Sequence, residues 1–155
     1  MMCGMKMEEI YPLIQSGLNE YGEFVFYPKG ISMYPTIVQL KDKVKLIKPE
    51  NIKKYSIVLY RRENGQFVMH RVVGIRNGTY TMCGDNQLGY ERGIKKEQII
   101  ALVSEIIHDD GKIISCTGFG NFIRGFVIRS VKFIPRAWKA LKRRLYPLYK
   151  KIKRK

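Results

Sequence analysis

The sequence predicts a mainly β protein, with a short helix before the β region and a basic helical tail after it. Short runs rich in valine, isoleucine and aromatic residues recur between residues 23 and 116, and turn residues separate them. Asn64-Gly65 and Asn77-Gly78 each lie between two such runs, which is the strongest short-range signal for a hairpin. The sequence Asp-Asp-Gly at residues 109–111 indicates a third hairpin, so we expect antiparallel strands with local connections.

Each element follows from its own pattern. Apolar residues at spacings of three and four from Met7 to Leu18 predict an amphipathic helix within residues 1–22. The aromatic run Glu23–Tyr27 predicts a strand, which Pro28 and Gly30 end. The other predicted strands are Lys43–Ile47, Ile57–Arg61, Phe67–Ile75, Thr79–Cys83, Ile99–His108 and Lys112–Cys116. A β domain is therefore expected over residues 23–116.

The charge of the chain is concentrated at one end. The protein has 155 residues and a net charge of +16, yet all thirteen acidic residues lie at or before Asp110. Residues 111–155 hold fourteen Lys and Arg, and apolar residues recur every three or four positions from Ile123 to Ile152. Residues 117–155 are therefore predicted to form a basic amphipathic helical tail, interrupted at Pro135 and Pro147.

A basic amphipathic tail favours an anionic partner. Its aromatic-rich apolar side favours an anionic membrane surface, contacted through residues 119–155. Packing on the β domain, or on a partner helix, is an alternative. Nucleic-acid binding is less favoured, because no stacking aromatic residues are interleaved with the basic ones. Since no uninterrupted apolar stretch of about 18 residues occurs, we expect a cytoplasmic location with peripheral association at a membrane.

A candidate nucleophile lies in the first turn region, in the sequence GISMYPT at residues 30–36. Gly30 allows a sharp turn before Ser32, and Pro35 stiffens the chain after it. A nucleophilic serine requires this kind of rigid turn, with backbone N–H groups free to stabilise an oxyanion. The structural alternative is that Ser32 simply belongs to a Gly/Pro turn.

Two later residues could complete a catalytic group. His70 lies within a strand-like run and could act as a general base, although a strand histidine is often structural. Asp85 follows Gly84 at a strand end and could orient a histidine, or it could serve a β-turn. The three cysteines and two histidines show no metal-ligand spacing, so neither a metal nor a cofactor is expected.

Together these motifs resemble those of the signal peptidase I superfamily, which also includes self-cleaving phage-type repressors. The family's Ser-Met-x-Pro motif stands at residues 32–35, its base motif reads MHRVVG at residues 69–74, and Gly-Asp-Asn stands at residues 84–86. A histidine at the base position is similar to the endoplasmic-reticulum and archaeal branch of the family. The resemblance covers roughly residues 24–87 and implies the antiparallel β fold of these peptidases and repressors.

The resemblance implies an endopeptidase that cleaves a precursor, leader or partner protein by acyl transfer. Ser32 would be the nucleophile, His70 its general base, and Asp85 would hold or polarise His70, directly, through Asn86 or through a water molecule. Family members prefer small residues at the first and third positions before the cleaved bond.

The oxyanion site is expected to be made of backbone. Many bacterial-type signal peptidases carry a serine where this chain has Gly30, so the N–H groups of Ser32 and Met33 are expected to serve instead. The alternative function is a catalytically silent binding or regulatory module of the same fold. In that case the basic tail would bind anionic lipid or nucleic acid.

Overall fold

A computed structural model describes residues 7–131 of the chain. Residues 1–6 of the predicted N-terminal helix and residues 132–155 of the predicted tail, including both proline interruptions, lie outside the described residues. The N-terminal helix α1 spans Met7–Glu20, and it buries Ile10, Ile14 and Leu18 against the sheet. The predicted amphipathic helix before the β region is therefore confirmed.

Within residues 7–131, eight strands form one antiparallel sheet. They are β1 Glu23–Phe26, β2 Lys43–Ile47, β3 Ile57–Arg61, β4 Phe67–Arg76, β5 Thr79–Cys83, β6 Glu91–Ile94, β7 Ile99–Ile107 and β8 Ile113–Ser115. The strand order is β1-β2-β7-β3-β4-β5-β6, with β8 paired to β7. The three predicted hairpins are the antiparallel pairs β3–β4, β4–β5 and β7–β8. The prediction of a mainly β protein is confirmed, and strand β6 is an addition to it.

The sheet separates two apolar clusters because alternate side chains of a strand point to opposite faces. In β3, Ile57 and Leu59 contribute to the cluster that α1 covers, whereas Val58 and Tyr60 contribute to the second cluster. The same alternation applies to β4, where His70 pairs with Val58 and Arg71 pairs with Ile57. The side chains of His70 and Arg71 therefore lie on opposite faces of the sheet, and each residue is only 1% exposed.

A helix follows β8 and covers residues 118–131, and the chain divides into two compact units after Gly125. In the first unit, Asn121 is buried, and a Cβ added to Gly125 would lie 2.5 Å from the Cβ of Tyr55. This part of the helix therefore packs its backbone directly on Tyr55. In the second unit, residues 126–131 are helical. No helix among the described residues is long and apolar enough to cross a membrane.

Candidate functional site

Ser32 lies in the loop between β1 and β2, and the end of β5 supports this loop. Gly30 has φ +107°, a backbone conformation that residues with a side chain rarely adopt, so glycine permits the turn before Ser32. The Ser32 carbonyl accepts a hydrogen bond from the Asn86 N–H at 2.7 Å. A Cβ at Gly84 would lie 2.6 Å from the same carbonyl oxygen. Glycine at position 84 is therefore needed for the close contact between the two segments.

The reactive groups of the Ser32 loop have no partners within residues 7–131. There, the Oγ of Ser32 makes no hydrogen bond, and the backbone N–H groups of Ser32 and Met33 donate none. The Met33 side chain is buried, and its carbonyl accepts a hydrogen bond from the Ile37 N–H at 3.0 Å. The loop is thus anchored by Met33 while the hydroxyl and two N–H groups stay available.

His70 is held through its Nδ1 atom. Nδ1 lies 3.1 Å from the Tyr60 Oη and 3.3 Å from the Glu91 Oε1. The Tyr60 hydroxyl donates to the Glu91 Oε2 at 2.9 Å, so its oxygen is free to accept from a protonated Nδ1. Both contacts assign the proton to Nδ1. The Nε2 atom makes no hydrogen bond in the described part of the chain, so this lone pair is available as a base.

Burial keeps the imidazole of His70 neutral. Burial lowers the pKa of His70 below its ordinary value of 6.5, whereas the charges of Glu91 and Asp85 raise this pKa and that of Arg62 lowers it. Arg62 donates two hydrogen bonds to Glu91. Its Nε donates to Oε2 at 2.8 Å, and one of its terminal nitrogens donates to Oε1. These hydrogen bonds lower the pKa of Glu91. At neutral pH the group therefore holds an ionised Glu91 beside a neutral His70.

Asp85 has a different position from the one predicted for it. Its Oδ1 accepts from the Arg71 Nε at 2.8 Å, and its Oδ2 accepts from Arg71 at 2.6 Å and from the Thr36 hydroxyl at 2.5 Å. Among the described residues, Asp85 makes no direct hydrogen bond to His70, although its charge raises the pKa of His70. The Nδ1 of His70 is held instead by Tyr60 and Glu91.

Arg71 also ties this carboxylate to the C-terminal helix. One terminal nitrogen of its guanidinium donates to the Tyr55 carbonyl at 2.9 Å and to the Asn121 Oδ1 at 3.2 Å. The Asn121 amide in turn donates to the same Tyr55 carbonyl at 3.0 Å. Arg71 and Asp85 therefore form a buried structural pair.

The hairpin β4–β5 brings the Ser32 and His70 segments to one place. Arg71 pairs with Cys83 in this hairpin, so His70 and Gly84 come next on the two sides, and Gly84 contacts the Ser32 carbonyl. A cavity of about 110 Å³ is lined by Ser32 and by Met69, the neighbour of His70. Within residues 7–131 no hydrogen bond joins the Ser32 Oγ to His70.

Tyr60, Arg62 and Glu91 were not predicted from the sequence as site residues. The register of the hairpin at Asn64-Gly65 could have identified Tyr60, because Val58 lies opposite His70 and Tyr60 is two residues further on the same face. Glu91 has no comparable signal. It comes from β6, which reaches the site through its pairing with β5, where Met82 lies opposite Glu91.

Comparisons of the chain with protein-family models, with curated proteins and with solved structures found no match. The resemblance to the signal peptidase I superfamily therefore rests on the motifs at residues 32–35, 69–74 and 84–86. Those motifs and the geometry around Ser32 and His70 are the observations that bear on the function of the protein.

Proposed function

We propose that this protein is a serine endopeptidase of the signal-peptidase type, which cleaves a precursor, leader or partner protein. The observation that carries the proposal is the arrangement of His70. Its Nδ1 is held by Tyr60 and Glu91, and its Nε2 has no partner within residues 7–131. A general base requires a buried, oriented and neutral imidazole with a free nitrogen, and a serine nucleophile requires a hydroxyl without a competing partner.

The proposed reaction is acyl transfer in two stages. The Nε2 of His70 takes the hydroxyl proton of Ser32 as Oγ forms a bond to the substrate carbonyl carbon. The carbonyl oxygen becomes an oxyanion, which accepts hydrogen bonds from the N–H groups of Ser32 and Met33. The C–N bond then breaks, and the leaving amine receives the proton from His70. Water then attacks the ester carbonyl as His70 takes its proton, the bond between Oγ and the carbonyl carbon breaks, and His70 returns the proton to the Oγ of Ser32 as the acid is released.

The positive charge that forms on His70 during both stages is stabilised by Glu91. The carboxylate lies 3.3 Å from Nδ1 and is kept ionised by Arg62. Tyr60 shares the Nδ1 proton and fixes the plane of the ring. Glu91 and Tyr60 are thus positioning residues, which act on the reacting atoms through His70.

The small cavity supports a substrate with a small side chain near the cleaved bond. Its volume is about 110 Å³, and its wall contains apolar side chains beside Ser32 and Lys29. They are Met33, Ile37, Phe67, Val68 and Met69. A cavity at Ser32 can accept a small residue such as alanine, in agreement with the preference that the resemblance implies.

The test is labelling by a serine-reactive phosphonate, followed by peptide mass spectrometry. We expect the parent to be labelled at Ser32, and Ser32→Ala and His70→Ala to lose the label while remaining folded. Ser16→Ala, which removes an exposed hydroxyl of α1, is the matched control and should retain the label. Labelling of the His70→Ala variant at the parent rate would contradict the proposed dyad.

A second candidate function is a catalytically silent binding or regulatory module of the same fold. The lack of a hydrogen bond between the Ser32 Oγ and His70 in the described residues favours it, although catalytic hydrogen bonds are often long before substrate binds. This candidate predicts a folded protein that is not labelled at any pH between about 6 and 9. In either case, we propose that residues 119–155 contact an anionic membrane surface, with nucleic acid as the less favoured partner.

A further inference from the structure

A second and larger cavity lies away from Ser32 and His70. Its volume is about 780 Å³, and it is lined by the end of β2, by residues of the segment 48–56 and by the start of the C-terminal helix. Cavities of roughly 300–1,000 Å³ are typical of small-molecule sites. Neither Ser32 nor His70 lines this cavity, and Asn121 is the one lining residue that belongs to the polar group around Arg71, so the proposed peptidase activity does not account for the cavity.

Positive charge dominates the lining. Lys48, Lys53 and Lys54 line the cavity, whereas Glu50 is the one acidic residue among its described lining residues. None of these three exposed lysines forms an ion pair within residues 7–131. The ammonium group of Lys54 lies 5.2 Å from the centre of the Tyr55 ring, and this cation–π contact holds the Lys54 side chain at the cavity. The site is therefore suited to an anion.

Two exposed phenylalanines complete the same cavity. Phe119 is 76% exposed and Phe122 is 43% exposed. Their rings are stacked, with centroids 6.4 Å apart, and Phe122 also meets the Tyr55 ring edge-on at 5.1 Å. Exposure of an apolar phenylalanine ring to water is unfavourable. An exposed pair of such rings beside a cavity therefore indicates a surface that a ligand or partner covers.

We propose that this cavity binds the headgroup of an anionic phospholipid in a membrane, with the three lysines on the phosphate and Phe119 and Phe122 among the acyl chains. A soluble phosphate compound would explain the lysines but would leave the phenylalanines in water. A lipid at the membrane surface satisfies both groups, because basic and aromatic side chains combine at the bilayer interface. This binding rests on the proposed membrane contact of residues 119–155, to which Phe119 and Phe122 belong, and it is independent of cleavage by Ser32.

The test compares two full-length variants with the same change in charge. The cavity variant is K48Q/K53Q/K54Q, and the control variant is K95Q/K96Q/K112Q, which changes three exposed lysines elsewhere. Both keep residues 132–155, so any contribution of that segment to vesicle binding is the same in both. We measure co-sedimentation with phosphatidylcholine vesicles, with and without phosphatidylglycerol, at physiological salt. The cavity variant should bind the anionic vesicles at least about tenfold more weakly than the control.

A second substitution tests the apolar half of the site. Phe119→Ser should weaken vesicle binding without unfolding the protein, because this side chain is already exposed. Equal weakening by the two triple variants would overturn the proposal in favour of unspecific attraction, and so would a parent that does not bind anionic vesicles. Binding of inorganic phosphate by the parent but not by the cavity variant, together with equal vesicle binding by the two triple variants, would identify a soluble phosphate ligand instead. Phosphonate labelling of Ser32 should be unchanged in all these variants.

Discussion

Two neighbouring residues of β4 lie at the centres of two polar clusters on opposite faces of the sheet. The histidine cluster consists of Tyr60, Arg62, His70 and Glu91, and the arginine cluster consists of Thr36, Arg71, Asp85 and Asn121. In the arginine cluster, Arg71 donates four hydrogen bonds and Asp85 accepts three. In the histidine cluster, the Nε2 of His70 has no partner in the described part of the chain.

This difference separates structural support from chemical capacity. The Arg71–Asp85 pair is almost completely buried, at 1% and 0% side-chain exposure, and such a pair persists only when its hydrogen bonds are satisfied. The pair reaches the Ser32 loop twice, through the Thr36 hydroxyl and through Asn86, the neighbour of Asp85. The arginine cluster thus supports the loop that bears Ser32, while the histidine cluster keeps a base available.

The largest expected effect is that of Asp85→Asn on stability. The substitution keeps the shape of the side chain but leaves the Arg71 cation buried without its partner, which costs about 3–5 kcal/mol of unfolding free energy. Urea unfolding measures this change. Glu105→Gln, which removes a partner of Lys45 in a partly exposed ion pair, should have a far smaller effect because solvent screens that pair.

The same variant distinguishes the role observed for Asp85 from the role predicted for it. If Asp85→Asn left stability unchanged and altered the pH dependence of Ser32 labelling, Asp85 would act on His70 and the contrast between the clusters would be wrong. If the variant does not fold, Thr36→Val provides a milder test. It removes one hydrogen bond to the Asp85 carboxylate and should cost about 1.5–3 kcal/mol.

Much of the fold could be predicted because its signals are local. The strands Lys43–Ile47, Ile57–Arg61 and Thr79–Cys83 have the predicted bounds, because hydrophobic runs and turn residues define both of their ends. Strand β6 was missed because its sequence, ERGI, has a single buried apolar residue, Ile94. Its strand conformation follows from pairing with β5, which no local pattern indicates.

The candidate site was predictable only in part for a related reason. The motifs identify Ser32 and His70, but the partner of a histidine depends on which strands meet and in which register. Asp85 is the carboxylate that a sequence motif offers as a partner for His70. In the structure, its oxygens accept hydrogen bonds from Arg71 and Thr36 instead. Glu91 lies on β6, and β5 separates that strand from His70 in the sheet. Sequence spacing therefore does not indicate Glu91.

The second prediction concerns the contact through which β5 supports Ser32. Gly84→Ala would place a Cβ 2.6 Å from the Ser32 carbonyl oxygen, so one of two backbone segments must move. Overpacking of this kind costs about 1–3 kcal/mol, and the displaced loop should also slow phosphonate labelling. Gly89→Ala is the matched control because its Cβ would meet no atom within 4 Å. Equal labelling rates in the two variants would show that the Ser32 loop does not depend on β5.

The third prediction concerns Glu91 as a positioning residue. Glu91→Gln keeps an oxygen that can accept from Nδ1 but removes the charge that stabilises the His70 imidazolium, so labelling should slow roughly tenfold. Glu97→Gln changes an exposed carboxylate in the turn Lys96–Gln98 and should leave the rate unchanged. An unchanged rate in Glu91→Gln, with the protein folded, would mean that the histidine cluster is as purely structural as the arginine cluster.

The smallest effect is a shift in the pH dependence of labelling, and its direction tests which charges act on His70. Burial lowers the pKa of His70, so the neutral base persists below pH 6.5, and labelling is lost only as the pH falls through the lowered pKa. Since Glu91 raises this pKa and Arg62 lowers it, Glu91→Gln should move the midpoint to lower pH and Arg62→Gln should move it to higher pH.

The same lowered pKa has a consequence for folding. The unfolded chain binds a proton at His70 more readily than the folded protein, so His70 reduces stability as the pH falls from about 6.5 through its folded pKa. His70→Gln should weaken this dependence in urea unfolding at a series of pH values. Opposite midpoint shifts in the two charge variants, with this loss in His70→Gln, would identify His70 as the titrating base. A midpoint that neither variant moves would assign the titration to another group. The histidine cluster would then supply no base, and it would not differ from the arginine cluster in function.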